Sequence, residues 1–337
     1  MSRLKDKKIS KWKICFLVFG AIFCIAALSG IRIFKYYYNL LDVQKEEEKI
    51  LEKESAEEIL DESAATEFFY GKEISEKAFN IMLMGVDSRE EDFSGRTDSM
   101  LLIHINPDTK RIITTSFLRD IYLDIPGYGG NRLNAAYVFG GPELLFETIS
   151  QNFGIEIDNY VTLNFWLVID ILDDLGGVDI EITEEEIEYM NKNMAGHNRI
   201  LNKVEGTDYL SSEDAGMYHL NGNQALAYAR IRYIGTDFAR TGRQRKILFA
   251  CIDKLKQMDI RDVNALMEKY LPTIKTNLTE KDITTLLFMF LGLKDYTKEG
   301  HVIPMEGTWE NASISGMSVL QIDLEANAKA WHDLINE

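Results

Sequence analysis

Apolar and polar positions fall into regular blocks along this chain, and the blocks predict its elements. Residues 14–31 (ICFLVFGAIFCIAALSGI) hold 18 positions without a charge. A membrane-spanning helix needs about 20 apolar residues, and flanking lysines can reach the interface to make up the length. Regular patterning resumes near Phe79. Residues 80–86 (NIMLMGV) and 99–105 (SMLLIHI) are short, nearly continuous apolar runs, the second closed by Asn106-Pro107. Both read as buried strands. Residues 111–117 and 121–125 follow as strands, with Pro126-Gly127 as punctuation. After Gly140-Gly141-Pro142, residues 143–153 show helical spacing through Leu144, Leu145, Thr148 and Ile149, and proline suits a helix start.

Residues 155–163 read as a strand, 164–175 as an apolar helix ended by Gly176-Gly177, and 178–182 as an alternating strand. Thr183-x-x-Glu186 is a capping-box pattern opening a short helix. Residues 221–227, 238–258 and 279–293 read as further helices, 302–304 and 319–323 as late strands, and a helix closes the chain. Strands alternating with helices, several of them apolar throughout, predict an α/β fold with a central sheet covered on both faces.

Charge adds topology to this pattern. The 337-residue chain has a formal net charge of −17. Residues 1–35 carry eight basic side chains against Asp6, or +7, so the remainder carries −17 − 7 = −24. A basic flank ahead of an apolar span predicts an anchor with its N-terminus in the cytoplasm and the rest outside. A cleaved signal peptide would have a shorter apolar core and a small-residue cleavage site. Here Arg32, Lys35 and Tyr36, Tyr37 and Tyr38 follow, and the tyrosines suit the outer interface. Residues 42–67 hold 11 acids and three lysines and read as a solvated stalk. Cys15 and Cys24 lie in the anchor, which leaves Cys251 alone in the exported part. Its place in an apolar helical pattern predicts packing rather than nucleophilic chemistry. The five histidines lack metal spacing, and neither a nucleophile elbow nor a Walker A motif is present.

The candidate chemistry concentrates in residues 229–246 (ARIRYIGTDFARTGRQRK), where six basic side chains face Asp237, a balance of +5. Guanidinium forks bind phosphate bidentately, so the island suits a densely anionic small group such as a pyrophosphate. Nucleic acid would instead favour a broad basic surface. Arg230 and Arg232 are two apart, and on a strand they would project to one side. Asp237, Arg240 and Gln244 fall on one helical arc at about 100° per residue. Ile247, Leu248, Cys251 and Leu255 continue that arc. The order suits an amphiphile with an anionic head, but taken alone the stripe reads rather as a core stripe whose first turn protrudes. Asp87 (GVDSR) ends one apolar strand and Asp98 (GRTDSM) opens the next. Carboxylates at adjacent strand ends can hold Mg²⁺ together with phosphate oxygens, or can pair with Arg89 and Arg96 across the loop. Arg119 (SFLRDI), beside Asp120, follows another strand end, and Arg132 (GNRLNAAY) precedes a helical segment.

Together these motifs resemble the LytR-CpsA-Psr family of bacterial envelope proteins. The resemblance runs through NIMLMGVDSR, GRTDSMLLIHINP, SFLRDIYLDIPG, RLNAAYVFGG, DILDDLGGVDIEI, LNGNQALAYARIR and DFARTGRQRK, over roughly residues 79–258. It implies a three-layer α/β/α sandwich with a central mixed sheet, preceded by a single transmembrane helix, and an apolar tunnel for a prenyl tail. The division that follows is a cytoplasmic tail (1–13), a transmembrane helix (14–34), an acidic stalk (35–78), a catalytic core (79–258) and a part completing the same domain (259–337). The implied activity is transfer of a glycopolymer from an undecaprenyl-pyrophosphate carrier to a peptidoglycan hydroxyl, outside the membrane of Gram-positive cells, with Mg²⁺ as cofactor. The family's metal-associated acids match Asp87 and Asp98. Its catalytic and pyrophosphate-contacting arginines match Arg119, Arg230 and Arg232, with Arg89, Arg132, Arg240 and Gln244 as further contacts and Asp237 as their support. The family commonly carries lysine where Arg132 stands, which alters the fork available there. A polyprenyl-pyrophosphate hydrolase and a non-catalytic lipid-binding envelope protein are the alternatives, and no nucleic-acid partner is expected.

Overall fold

A computed structural model describes residues 42–43, 78–86, 95–211, 214–258, 260–279, 282–283, 285–286 and 295–337. The candidate anchor, most of the acidic segment and most of the helix expected over 279–293 lie outside these residues. Among the described residues no helix is long and apolar enough to cross a membrane.

In chain order the strands are β1 (Asp42–Val43), β2 (Phe79–Val86), β3 (Thr97–Asn106), β4 (Arg111–Phe117), β5 (Tyr122–Ile125), β6 (Gly129–Arg132), β7 (Asn159–Asn164), β8 (Val178–Ile182), β9 (Gly216–Leu220), β10 (Lys275–Thr276), β11 (Thr297–Ile303), β12 (Trp309–Ile314) and β13 (Met317–Ile322). The helices are α1 (Leu133–Phe153), α2 (Phe165–Asp174), α3 (Glu184–Ile200), α4 (Gly222–Ala229), α5 (Asp237–Leu255), α6 (Ile260–Tyr270) and α7 (Leu324–Asn336). Seven strands form the central sheet in the order β1-β10-β7-β2-β3-β4-β11. Neighbours β2–β3 and β3–β4 run antiparallel, and β2–β7 and β4–β11 run parallel. The sheet is therefore mixed, as expected. Its first strand falls within the acidic segment: Asp42 and Val43 pair with β10, so these two residues are part of the sheet rather than of a free stalk.

Period-two alternation sorts the sheet into two faces. Met82, Met84, Val86, Met100, Leu102, Phe117, Tyr160 and Ile303 pack with Leu145, Ile149 and Phe153 of α1 and Trp331 of α7 in one buried cluster. The opposite face receives α5, where Ser99 of β3 meets Gln244 and Ser116 of β4 meets Arg245. A second apolar cluster joins α2, α3, α4, α5 and the β8–β9 ribbon.

Several local signals act as expected. Thr183 accepts from the Glu186 amide at 3.3 Å and the Glu186 carboxylate accepts from the Thr183 amide at 3.0 Å, closing the capping box of α3. That helix runs to Ile200, well beyond the short helix the motif announced. A second box, Asn221 with Gln224, opens α4. The first turn of α4 sits so close to α2 that a Cβ on Gly222 would lie 2.1 Å from the Ile169 carbonyl oxygen. Helix α1 begins at Leu133, ten residues before the expected helix, because its first turns precede a break at Gly140 and Gly141, the latter at φ +70°.

Candidate functional site

The antiparallel pairing of β2, β3 and β4 brings the end of β2, the start of β3 and the end of β4 to one edge of the sheet. Asp98 stands there as the second residue of β3, and Arg119 follows β4. Backbone bonds hold the Arg119 segment: the Leu118 amide donates to Ile303, Asn134 to Arg119 and Leu320 to Asp120. Across the edge lie the loop after α4 and the first turn of α5.

Asp98 is the centre of this edge. Arg119 Nη1 donates to its Oδ1 and Arg232 Nη2 to its Oδ2, each at 2.8 Å, while Arg240 Nη2 reaches its backbone carbonyl at 3.4 Å. Arg119 Nε lies 3.4 Å from Asp120 and 3.8 Å from Asp237. Arg240 Nη1 lies 3.3 Å from Asp237. Arg132 Nε is 3.4 Å from Asp120, and its Nε and Nη2 both donate to the Ser318 carbonyl. Gln244, one turn beyond Arg240, accepts from the Ser99 hydroxyl at 3.1 Å. Four arginines thus surround three aspartates.

These ion pairs leave donors over. Arg119 Nε and Arg240 Nε and Nη1 are buried and lack a hydrogen-bond partner among the described residues. The carboxylates near them are within ion-pair distance but are not aligned to accept. An unpaired buried donor costs about 1–3 kcal/mol, so among the described residues these three are donors that an anion could satisfy. Burial and the charges of Arg232 and Arg119 pull the Arg240 guanidinium below its ordinary pKa, against the pull of Asp237.

Burial also opposes ionisation of Asp98, but the Arg119 hydrogen bond and the charges of Arg119, Arg232 and Arg240 outweigh it and hold the carboxyl below its usual range. With a depressed folded pKa, its contribution to stability is complete above the unfolded value of about 3.9 and is lost as pH falls through the lower folded value. Thermal melts of the wild type and Asp98→Asn are therefore expected to differ by a constant amount from neutral pH down to about pH 4, and to converge only below it. Convergence near pH 6 would contradict this charge arrangement.

Several expectations need correction. Arg230 and Arg232 do not share a strand. Arg230 is the C-terminal cap of α4 and Arg232 lies in the following loop, so their forks part: Arg232 reaches Asp98 while the Arg230 guanidinium lies 4.5 Å over the Phe165 ring. The cationic island is likewise divided. Arg243 turns into the second core, where it pairs with Glu186 at 2.7 Å, and Arg245 lies on the sheet, donating to Ser116 and the His301 carbonyl. Ile247, Cys251 and Leu255 pack into the second apolar cluster, so the stripe below Arg240 is a core stripe rather than an open groove. Burial raises the Cys251 thiol to about 12, which suits packing. Asp98 pairs with Arg119 and Arg232, not with Arg96.

Asp87 and Arg89 lie outside the described residues. Among the described residues no group of three or more His, Cys, Asp or Glu side chains is placed to hold a metal ion. Both Asp98 oxygens already carry guanidinium partners. As arranged, these residues do not by themselves form a magnesium site.

The chain matches the LytR_cpsA_psr family over residues 34–335, a span wider than the motifs that carry the resemblance. Biofilm regulatory protein A of Streptococcus mutans is 30% identical over 270 residues, 74% of this chain and 61% of that protein. The chain thus spans less than two thirds of that relative's length. The polyisoprenyl-teichoic acid–peptidoglycan teichoic acid transferase TagU of Oceanobacillus iheyensis is 30% identical over 245 residues, 69% of this chain and 70% of that protein. Among solved structures, TagT bound to LIIa-WTA superposes with a TM-score of 0.62 at 26% identity, covering 79% of this chain and 93% of that one.

Proposed function

Because the chain belongs to the LytR-CpsA-Psr family, we propose that it transfers a glycopolymer from an undecaprenyl-pyrophosphate carrier to a peptidoglycan hydroxyl, on the outer side of a membrane in which residues 14–34 anchor it. The observation that carries this reading is the cluster of buried guanidinium donors on Arg119 and Arg240 that lack a hydrogen-bond partner among the described residues. Pyrophosphate oxygens would accept from them, and would compete with Asp98 for Arg119 and Arg232. Arg230 and Gln244 flank the same edge, and Arg132 supports it through Asp120. The activity for which the TagU relative is named, with a polyisoprenyl donor and a peptidoglycan acceptor, supports the same assignment.

The prenyl tail would lie on the sheet face below Ser99. Leu83, Ile103 and Val161 share that face by register and are half-buried there. At the rim Tyr233, 81% exposed, stacks on Tyr189 with ring centroids 5.8 Å apart, a flat surface suited to a sugar ring. In the reaction the acceptor hydroxyl oxygen attacks the phosphorus next to the glycan and gives up its proton to solvent. The bond from that phosphorus to the bridging oxygen breaks, and undecaprenyl phosphate leaves. Positioning and charge neutralisation supply most of the catalysis in such transfers. Asp98, held ionised by its arginines, is a weak base, so its role is to orient Arg119 and Arg232. Magnesium, which the family resemblance implies, would add neutralising charge at the pyrophosphate. Asp98 and Asp87 are the residues that would hold it.

The test is a transfer assay with the full chain in detergent, a synthetic polyprenyl-pyrophosphate-linked glycopolymer and peptidoglycan. The expected product is glycopolymer bound covalently to peptidoglycan with release of polyprenyl phosphate. Replacing Arg119 and Arg232 together by alanine removes at least two charge-assisted hydrogen bonds. Transfer is expected to fall by about 100-fold or more, with the fold retained. Free glycopolymer phosphate as the wild-type product would favour the hydrolase reading. Retained lipid without turnover would favour the binding protein.

A further inference from the structure

His197 is a buried imidazole that the transfer chemistry does not touch. It lies in the last turn of α3 and is 3% exposed. Its Nδ1 is 2.9 Å from Asn223 Oδ1. The Asn223 amide group donates to Asn198 Oδ1 at 3.2 Å and to Asp208 Oδ2 at 2.9 Å. Those two acceptors settle which end of the amide faces which way, leaving the Asn223 oxygen for the ring. Nδ1 therefore carries the proton. In the neutral ring Nε2 then carries a lone pair, and it lies 3.4 Å from Arg230 Nη1. The same guanidinium lies over Phe165, 4.5 Å from the ring centroid.

We propose that His197 is a positioning residue for Arg230: its Nε2 lone pair, with the Phe165 ring, helps to set the direction of the Arg230 fork, and protonation of the imidazole weakens that hold. The inference rests on the assignment of Arg230 to the pyrophosphate head. A protonated ring would turn an acceptor into a second cation against the guanidinium, so binding of an anionic head weakens in acid. Among the described residues the charged group facing the ring is Arg230, which caps α4. Asp208, from the loop after α3, reaches it only through Asn223 and is itself held by Asn221 at 3.0 Å and Lys203 at 3.3 Å. Helix α2 contributes the uncharged Phe165. Burial, reinforced by the Arg230 charge and opposed by the Asn223 hydrogen bond, keeps the imidazole pKa below its ordinary value, consistent with a neutral acceptor at pH 7.

The test measures binding of geranylgeranyl pyrophosphate to the full chain in detergent by calorimetry at pH 7.5 and pH 5. His197→Gln keeps an oxygen able to accept from Arg230 but does not titrate. It is expected to bind within about threefold of the wild type at pH 7.5 and to lose about tenfold less than the wild type on acidification. Comparing the two cancels the ligand's own ionisation. His197→Phe removes the acceptor and is expected to lose about tenfold at pH 7.5. In an Arg230→Ala background the same change is expected to cost nothing further, because the effect runs through Arg230. An equal pH response in the wild type and His197→Gln, or an undiminished loss in the Arg230→Ala background, overturns the proposal. Failure of the wild type to bind the probe at either pH overturns the pyrophosphate assignment itself, a different result.

Discussion

Replacing Arg240 with methionine is expected to leave the melting temperature unchanged or raised while weakening prenyl-pyrophosphate binding by about 100-fold or more. The two effects have one cause. The side chain is 3% exposed; among the described residues two of its three nitrogens have no hydrogen-bond partner, and the third makes only a long bond of 3.4 Å to the Asp98 carbonyl. A buried cation short of partners costs folding free energy, and its removal relieves that cost. Methionine fills similar space without a charge and adapts to an irregular gap. Asp237 loses one ion-pair partner but keeps Arg119 at 3.8 Å. Binding moves the other way. Two charge-assisted hydrogen bonds to phosphate are worth about 1.5–3 kcal/mol each, and each 1.4 kcal/mol is about tenfold in affinity. Scanning fluorimetry and calorimetry with geranylgeranyl pyrophosphate read the two quantities separately. A large fall in melting temperature with unchanged affinity would make Arg240 a structural tie and remove the main support for the anion site.

What the sequence showed and hid follows from the range of each interaction. The strands β2, β3 and β4 are legible because buried strands are apolar over their own length, and the carboxylate and guanidinium at their ends, Asp98 and Arg119, are legible with them. The Thr183–Glu186 box is legible because both partners lie within one turn. The spacing of Arg230 and Arg232 misleads because a spacing of two is informative only on a strand, and the Asn221–Gln224 box instead launches a helix that ends at Ala229. Arg243 and Arg245 could not be told from Arg240 by local charge. Their partners, Glu186 and Ser116, are 57 and 129 residues away. The strand at Gly129–Arg132 has no pattern of its own and exists by pairing with β5. His197 gave no local signal, since it meets Arg230 only when α3 and α4 pack side by side.

Arg243 is expected to behave in the opposite way to Arg240, three residues before it. Its Nε donates to Glu186 at 2.7 Å, and Nη1 and Nη2 donate to the Ile231 and Ile234 carbonyls at 3.3 and 3.2 Å. Both side chains of the pair are nearly inaccessible to solvent, and the other Glu186 oxygen caps α3. Arg243→Met would strand a buried carboxylate, which typically costs about 3–5 kcal/mol. For a domain of this size that corresponds to a fall of about 10 °C in melting temperature. The same change frees the carbonyls that brace the loop carrying Arg232, so affinity for geranylgeranyl pyrophosphate is expected to fall by about tenfold even where the protein remains folded. Pairing Arg243→Met with Glu186→Met separates the two roles. The double variant no longer buries a lone charge and is expected to recover much of the lost stability. Its loop carbonyls remain unheld, so affinity should stay low. Recovery of affinity along with stability would reduce Arg243 to an ordinary core partner of Glu186, and the direction of Arg232 would then have to be set by its contact with Asp98 alone.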